Sequence, residues 1–163
     1  MNTRTPEQPI LGRFFQLGYI TRDLEAGMTG FKERFGPVEF QVIQADPDQP
    51  TTRAIALGYL GPVMIEIIDP NPDNQSIYTD YIPTEAGTVR LHHTGHLIDD
   101  FDATVTRLEA AGYNVPFKLS YGTMLDCCYA DTRAELGHYV EHVRLGEEGK
   151  QWFKSVPGFV AFP

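Results

Sequence analysis

The chain repeats itself. Residues 16 to 26, QLGYITRDLEA, align without gaps on residues 93 to 103, HTGHLIDDFDA, 77 positions later. Gln16 then meets His93, Gly18 meets Gly95, Asp23 meets Asp100, Leu24 meets Phe101 and Ala26 meets Ala103. A second match follows, VMIEII around Glu66 against HYVEHV around Glu141. Self-similarity of this kind means one structural unit used twice. It also places a side chain able to bind metal at two equivalent points of each copy, so the repeat bears on chemistry as well as architecture.

Each copy carries the same succession of patterns. Residues 13 to 20, RFFQLGYI, are aromatic and β-branched and read as a strand. Asp23 suits the N-cap of a helix over 24 to 34, with Leu24, Met28, Phe31 and Phe35 on one apolar face and Gly36-Pro37 as its stop. Strand-like runs follow at 38 to 44, 52 to 60 and 62 to 69, the first two separated by the turn-forming ADPDQP. The Pro-, Asn- and Asp-rich stretch 71 to 88 reads as a linker. The order then recurs: a strand over 89 to 98, a helix after Asp100 with Phe101, Val105 and Leu108 inward and Gly112 at its end, and strands near 114 to 119, 123 to 130 and 136 to 144. The expected organisation is α+β, with one βαβββ module over 13 to 70 and another over 89 to 145. Residues 1 to 12 read as a loose polar arm, and the tail 146 to 163 as a short helix with an extended end. One helix per module cannot cover both faces of a sheet. The bare faces should meet across the two modules or across a dimer.

The 163 residues suit one compact unit or two small halves with a shared core. A formal net charge of -9 speaks against nucleic-acid binding, which needs a basic surface. No run approaches the roughly 20 apolar residues of a membrane span, so no membrane role is expected. The N-terminal MNTRTPEQP lacks a signal-peptide core, which points to the cytoplasm. The adjacent Cys127 and Cys128 cannot form an ordinary disulfide with each other. An anionic ligand would need local compensation, for which Arg13, Arg53, Arg90, Lys118 and Arg144 are the candidates.

Side chains alternate between the faces of a strand. Gln16, Glu66, His93 and Glu141 are then each a polar residue in the middle of a largely apolar face. A lone buried carboxylate costs several kcal/mol. Two at equivalent points of a repeat call for one explanation. A divalent cation supplies it, and the mixed nitrogen and oxygen donors suit zinc, nickel, cobalt, manganese or ferrous iron.

The repeated strand-helix-three-strand order, a Gln or His followed seven residues on by Asp, and the fourth-strand Glu resemble the vicinal oxygen chelate superfamily. That is the glyoxalase, bleomycin-resistance and extradiol-dioxygenase group. The resemblance covers roughly residues 13 to 145 and is most specific in QLGYITRDL and HTGHLIDDF. It implies two βαβββ modules curved into a cup-shaped mixed sheet around a divalent metal. The ligands it implies are Gln16, Glu66, His93 and Glu141, a set like that of glyoxalase I enzymes with Gln in the first position. It further implies a small-molecule substrate with adjacent oxygens, polarised by the metal as a Lewis acid. Glu141 would be the catalytic base, with Glu66 as its partner across the site. The activity implied is a lyase or isomerase reaction that moves a proton next to a carbonyl, in a protein that forms a homodimer.

Other readings stay open at this point. Gln16 or His93, each alone, suits an ordinary satisfied polar residue, and Glu66 and Glu141 can pair with Arg53 or Arg144. Regular alternation turns His92 and His96 away from His93, and His138 and His142 away from Glu141, unless a bulge interrupts 92 to 96. One of the two cysteines should face the cup as a packed thiol. Trp152 and Phe153 are candidates for a lid. A ferrous extradiol-type dioxygenase and a non-enzymatic small-molecule binding protein are the alternative functions.

Overall fold

The computed structural model describes residues 10–44, 46, 48 and 50–163. The N-terminal arm up to residue 9 and part of the expected turn at 45 to 50 lie outside the described residues. Eight strands form one sheet: β1 (Arg13–Ile20), β2 (Gln41–Gln44), β3 (Thr52–Leu60), β4 (Val63–Pro70), β5 (Arg90–Leu97), β6 (Phe117–Ser120), β7 (Leu125–Ala130) and β8 (Tyr139–Leu145). Helix α1 (Leu24–Phe35) follows β1 and α2 (Phe101–Ala110) follows β5, while α3 (Arg133–Leu136) and α4 (Glu147–Ser155) flank β8. The sheet order is β2-β3-β4-β1-β5-β8-β7-β6. It is a palindrome of the repeat: β1 runs parallel to β4, β5 runs parallel to β8, and β1 and β5 join the halves antiparallel.

The repeated Asp residues are helix N-caps, and the repeated Ala residues supply the N–H groups they accept. The Asp23 carboxylate accepts from the Ala26 backbone N–H at 3.0 Å, and Asp100 accepts from Ala103 at 2.9 Å. An N-cap carboxylate of this kind satisfies a donor that the first helical turn leaves free. Each helix packs on the outer face of its own half. Leu24 and Phe31 sit on Ala54, Ala56, Ile65 and Ile67, and Val105 and Leu108 sit on Cys128 and Ala130. Small residues on the strands let the helices approach, and burying a Leu or Phe stabilises by about 1.5–3 kcal/mol. The sheet curls so that Gln41 of edge strand β2 and Phe117 of the opposite edge strand β6 line the same cavity. No helix among the described residues is long and apolar enough to cross a membrane.

Several elements differ from the sequence expectation. Strand β2 begins at Gln41 rather than at 38, and β6 at Phe117 rather than at 114, because pairing with β3 and β7 starts there. The strand expected from 136 begins at Tyr139. Residues Arg133–Leu136 form α3 instead, and Gly137 reverses the chain at φ 79°. The linker is not featureless, since Thr79–Tyr81 form a 3-10 turn and Tyr78 is buried in the core.

Candidate active site

The strand register brings the repeated residues together in two crossed rows. In the first, Glu66 of β4 stands opposite Gly18 of β1, which stands opposite His93 of β5. In the second, Gln16 of β1 stands opposite Gly95 of β5, which stands opposite Glu141 of β8. Each row reaches from one half into the other and has a glycine at its centre. Those glycines are the floor of the site. A Cβ on Gly18 would fall inside the His93 imidazole, and one on Gly95 would lie 2.5 Å from Gln16 Oε1. The matched glycines of the repeat therefore leave the room in which the other half's polar side chain lies.

The rows converge because both central strands are bulged. Pairing skips Phe15 between Phe14 and Gln16, and skips His92 between Leu91 and His93. Phe15 and His92 occupy equivalent repeat positions. An extra residue on one strand re-aims the side chains around it. In consequence His92 does not point away from His93, as regular alternation requires. Its Nδ1 lies 3.0 Å from His93 Nδ1, and its ring stacks on Tyr139 at 4.8 Å.

This contact fixes which nitrogen of His93 faces the site. His92 Nε2 is 3.0 Å from the Ile77 carbonyl, which can only accept, so Nε2 carries the proton. Burial, with the neighbouring His93, holds the His92 imidazole neutral by pushing it down to about 3. Its Nδ1 is then the acceptor for His93 Nδ1–H. The remaining nitrogen, His93 Nε2, is turned to the carboxylates, 3.1 Å from Glu66 Oε2 and 3.5 Å from Glu141 Oε2.

Glu66, His93 and Glu141 each offer a ligand atom, and the three atoms lie within 4.8 Å of one another. Gln16 lines the same cavity with its amide beside them, its Nε2 donating to Met64 Sδ at 3.4 Å. Gln16 Oε1, Glu66 Oε2 and His93 Nε2 are buried without a directed hydrogen bond. The His93–Glu66 contact is within ion-pair distance but is not aligned as an N–H···O bond, so charge rather than direction holds it. Buried polar atoms are rarely left in this state. Two of the three, Glu66 Oε2 and His93 Nε2, belong to the three-residue cluster, and Gln16 lines the same cavity; two carboxylates and an imidazole, with an amide oxygen at hand, fit a divalent cation. Without a cation, burial alone would push His93 down, but Glu141 and Glu66 outweigh it and raise it to about 9. Burial raises Glu66 above the usual carboxylate range, with His93 working against the rise.

The arginines do not compete for this cluster. Arg53 pairs with Asp69 at 2.6 Å and Arg144 with Asp126 at 2.5 Å, both away from Glu66 and Glu141. On the outer face His138, Thr94 and His96 form a chain of contacts at 3.2 and 3.1 Å, with the His142 ring 6.5 Å from that of His96. His142 Nε2 lies 2.9 Å from the Ile10 carbonyl.

Above the cluster opens a cavity of about 660 Å³. Cys127 lines it and Cys128 faces the outer core. Burial, reinforced by Glu141, pushes the Cys127 thiol well up, so it is no thiolate nucleophile at neutral pH. Tyr78 and Tyr129 stand beside the carboxylates, their rings 6.0 Å apart, and Tyr129 packs edge-on to His93 at 5.0 Å. Burial pushes both phenols well above their ordinary value and keeps them neutral. The sequence reading missed Tyr78 within the linker; the apolar pair Ile77-Tyr78 amid polar residues was the available signal. Trp152 and Phe153 of α4 close one wall, where Phe153 lies 5.8 Å from Phe15.

Comparison with known proteins agrees with this architecture. A family model described as the glyoxalase/bleomycin resistance protein/dioxygenase superfamily matches residues 15–127. The chain belongs to that superfamily, the vicinal oxygen chelate group. No curated protein sequence matches the chain. Among solved structures it is similar to methylmalonyl-CoA epimerase from Mycobacterium tuberculosis, with a TM-score of 0.66 and 13% identity over 90% of this chain and 97% of that one. It is similar to a variant of the Streptomyces coelicolor methylmalonyl-CoA epimerase bound to 2-nitronate-propionyl-CoA, with a TM-score of 0.62 and 19% identity over 83% and 98%. A hypothetical protein from Bacillus halodurans matches with a TM-score of 0.63 and 11% identity over 83% and 95%. At these identities the likeness is one of fold.

Proposed function

We propose that the chain is a divalent-metal-dependent lyase or isomerase of the vicinal oxygen chelate type, which shifts a proton on the carbon next to a carbonyl. The observation that carries this reading is the convergence of Glu66, His93 and Glu141 within 4.8 Å at the base of a cavity, beside the free Gln16 oxygen. These four residues would hold the cation. When bound, it supplies Lewis acidity toward one or two neighbouring substrate oxygens. The chain's own residues do the rest. Glu141 and Glu66 approach from opposite halves, so a carbon held between them has a carboxylate on each side. Glu141 takes the proton and Glu66 stands where it can return one, as an epimerase or a glyoxalase-type isomerisation requires. The neutral Tyr78 and Tyr129 can donate to a developing oxyanion. The apolar walls exclude water and strengthen each of these interactions.

The structural neighbours named as epimerases support the isomerase branch, and the retained donor set speaks against a purely non-enzymatic binding role. An extradiol-type site would draw on two imidazoles. The second imidazole at hand, His92, is committed to His93 and Ile77, which disfavours that chemistry. A homodimer in the cytoplasm belongs to the same reading, although all four donors come from one chain and need no partner to assemble.

Elemental analysis of the purified protein, followed by exchange of a substrate α-proton in deuterated water, tests the proposal. Glu141→Gln should keep the metal and lose exchange, and His93→Ala should lose the metal. Equal metal content in wild type and His93→Ala would remove the proposed site.

A further inference from the structure

The cavity above the carboxylates has a chemical character that the family does not dictate. Its body is mostly apolar, with Ile55 and Leu57 from one half and Leu119 and Val143 from the other, and its uncharged polar lining includes Gln41, Gln44, Thr51 and Thr52. Its aromatic surface comes from Phe15, Phe117, Trp152 and Phe153. The charged lining groups among the described residues are Glu66, Glu141 and Asp46, all acidic. Asp46 lies beside Tyr121, which is 40% exposed and marks the mouth. The five basic side chains that the sequence offered for offsetting an anion are held elsewhere. Arg13 pairs with Asp99, Arg53 with Asp69, Lys118 with Glu109 and Arg144 with Asp126, and Arg90 donates to the Asp80 carbonyl at 3.4 Å. None of the five lines the cavity.

A nucleotide-bearing thioester would bring several phosphate charges to a mouth whose charged group is a carboxylate, on a chain of net charge -9. Phosphate recognition needs guanidinium, ammonium or clustered N–H donors. A volume of about 660 Å³ also far exceeds what a short branched acyl group fills. It falls within the roughly 300–1,000 Å³ of pockets that enclose whole drug-sized ligands. We infer that this cavity takes an uncharged, ring-bearing compound with a carbonyl and a neighbouring oxygen, and that it discriminates against phosphorylated thioesters. The inference rests on the proposed proton-shift reading for the placement of the two oxygens at the carboxylate end; the rest of the ligand follows from the walls.

Benzoin is a suitable probe: it is neutral, carries two phenyl rings, and has a proton on the carbon that joins ketone and hydroxyl. Trp152, the single tryptophan, lines the cavity and reports occupancy by fluorescence. The protein, loaded with zinc or cobalt in turn, is titrated with benzoin and with methylmalonyl-CoA, and loss of the reactive proton is followed separately in deuterated water. Benzoin should change Trp152 emission saturably, with a Kd at least ten-fold below that of methylmalonyl-CoA and insensitive to salt. Leu119→Arg, on an edge strand where the new side chain can reach solvent, should weaken benzoin and tighten the thioester. Equal or tighter binding of methylmalonyl-CoA by the wild-type protein, or no benzoin binding, overturns the inference. Benzoin bound but not exchanged leaves the inference standing and removes the proton-shift reading. Methylmalonyl-CoA exchanged without benzoin binding removes the inference and keeps the reaction.

Discussion

The two halves of the molecule share a strand order and differ at the point that matters for chemistry. Their fourth strands are alike, since each presents one carboxylate, Glu66 or Glu141, to the same spot. Their first strands are not. At the bulge position the first half has Phe15, which packs on Phe153, and the second has His92, which holds His93 Nδ1 and anchors to Ile77. One position on, Gln16 has a soft contact to Met64 Sδ, whereas His93 is locked by His92 on one side and two carboxylates on the other. Duplication thus built a symmetric frame, and divergence within it made one rigid donor and one adaptable donor. In the proposed cation site, one loose ligand would let substrate oxygens in without loss of the ion.

This contrast is open to attack by paired substitutions. In chelator, His93→Ala should destabilise by about 3–5 kcal/mol, because it leaves two buried carboxylates without their counter-charge. Gln16→Ala should be far milder, and urea denaturation of the two variants side by side decides the matter; similar losses would abolish the asymmetry. Gly18→Ala and Gly95→Ala come next, at about 1–3 kcal/mol for overpacking. Gly18→Ala should be the worse of the two by thermal denaturation, since its Cβ would fall inside a boxed imidazole, whereas that of Gly95→Ala would lie 2.5 Å from the Gln16 amide oxygen and 2.7 Å from Gln16 Cβ. His92→Phe keeps the ring volume and removes the acceptor that orients His93. Zinc affinity should fall about 10–100-fold by calorimetric titration, the usual loss when an orienting partner of a metal ligand is removed. An unchanged affinity would mean that His92 is only packing.

The smallest effect concerns the outer edge of the second half. Burial would raise the Asp126 carboxyl, but Ser120 and Arg144 outweigh it and hold it below the ordinary carboxylate value. A depressed folded pKa contributes stability that is present above the unfolded value near 4 and is lost as pH falls through the folded one. The Arg144 side chain is 32% exposed, so solvent screening limits the pair to about 0.2–1 kcal/mol. The stability of Asp126→Asn should accordingly approach that of the wild type below pH 3 in acid denaturation curves.

The helices were legible because their signals are local. Asp23 and Asp100 cap them, and apolar residues recur at helical spacing within a dozen positions. The strands bearing Gln16, Glu66, His93 and Glu141 were legible for a similar reason, because a polar residue in an apolar β-branched run is visible without any partner strand. Val38 shows the limit: it is apolar and buried, yet β2 starts three residues later because pairing with Leu57 begins at Gln41. Leu136 shows another, since a run that reads as strand is closed off by a helical turn and the left-handed Gly137. Tyr78 was hidden in a stretch whose composition speaks only for a connection.

By itself the sequence determined the duplicated pattern, the helix caps, the alternation that gives each strand one apolar face, and the four polar residues that interrupt it. All of these are set by residues near one another in the chain. The tertiary structure alone decided that both central strands bulge, that His92 turns beside His93, that Gly18 and Gly95 lie beneath the other half's side chains, and that every candidate cation for an anionic ligand is engaged outside the cavity. The first three depend on register between strands some 77 residues apart, where a shift of one position moves a side chain to the opposite face; the last depends on ion pairs within and around each half.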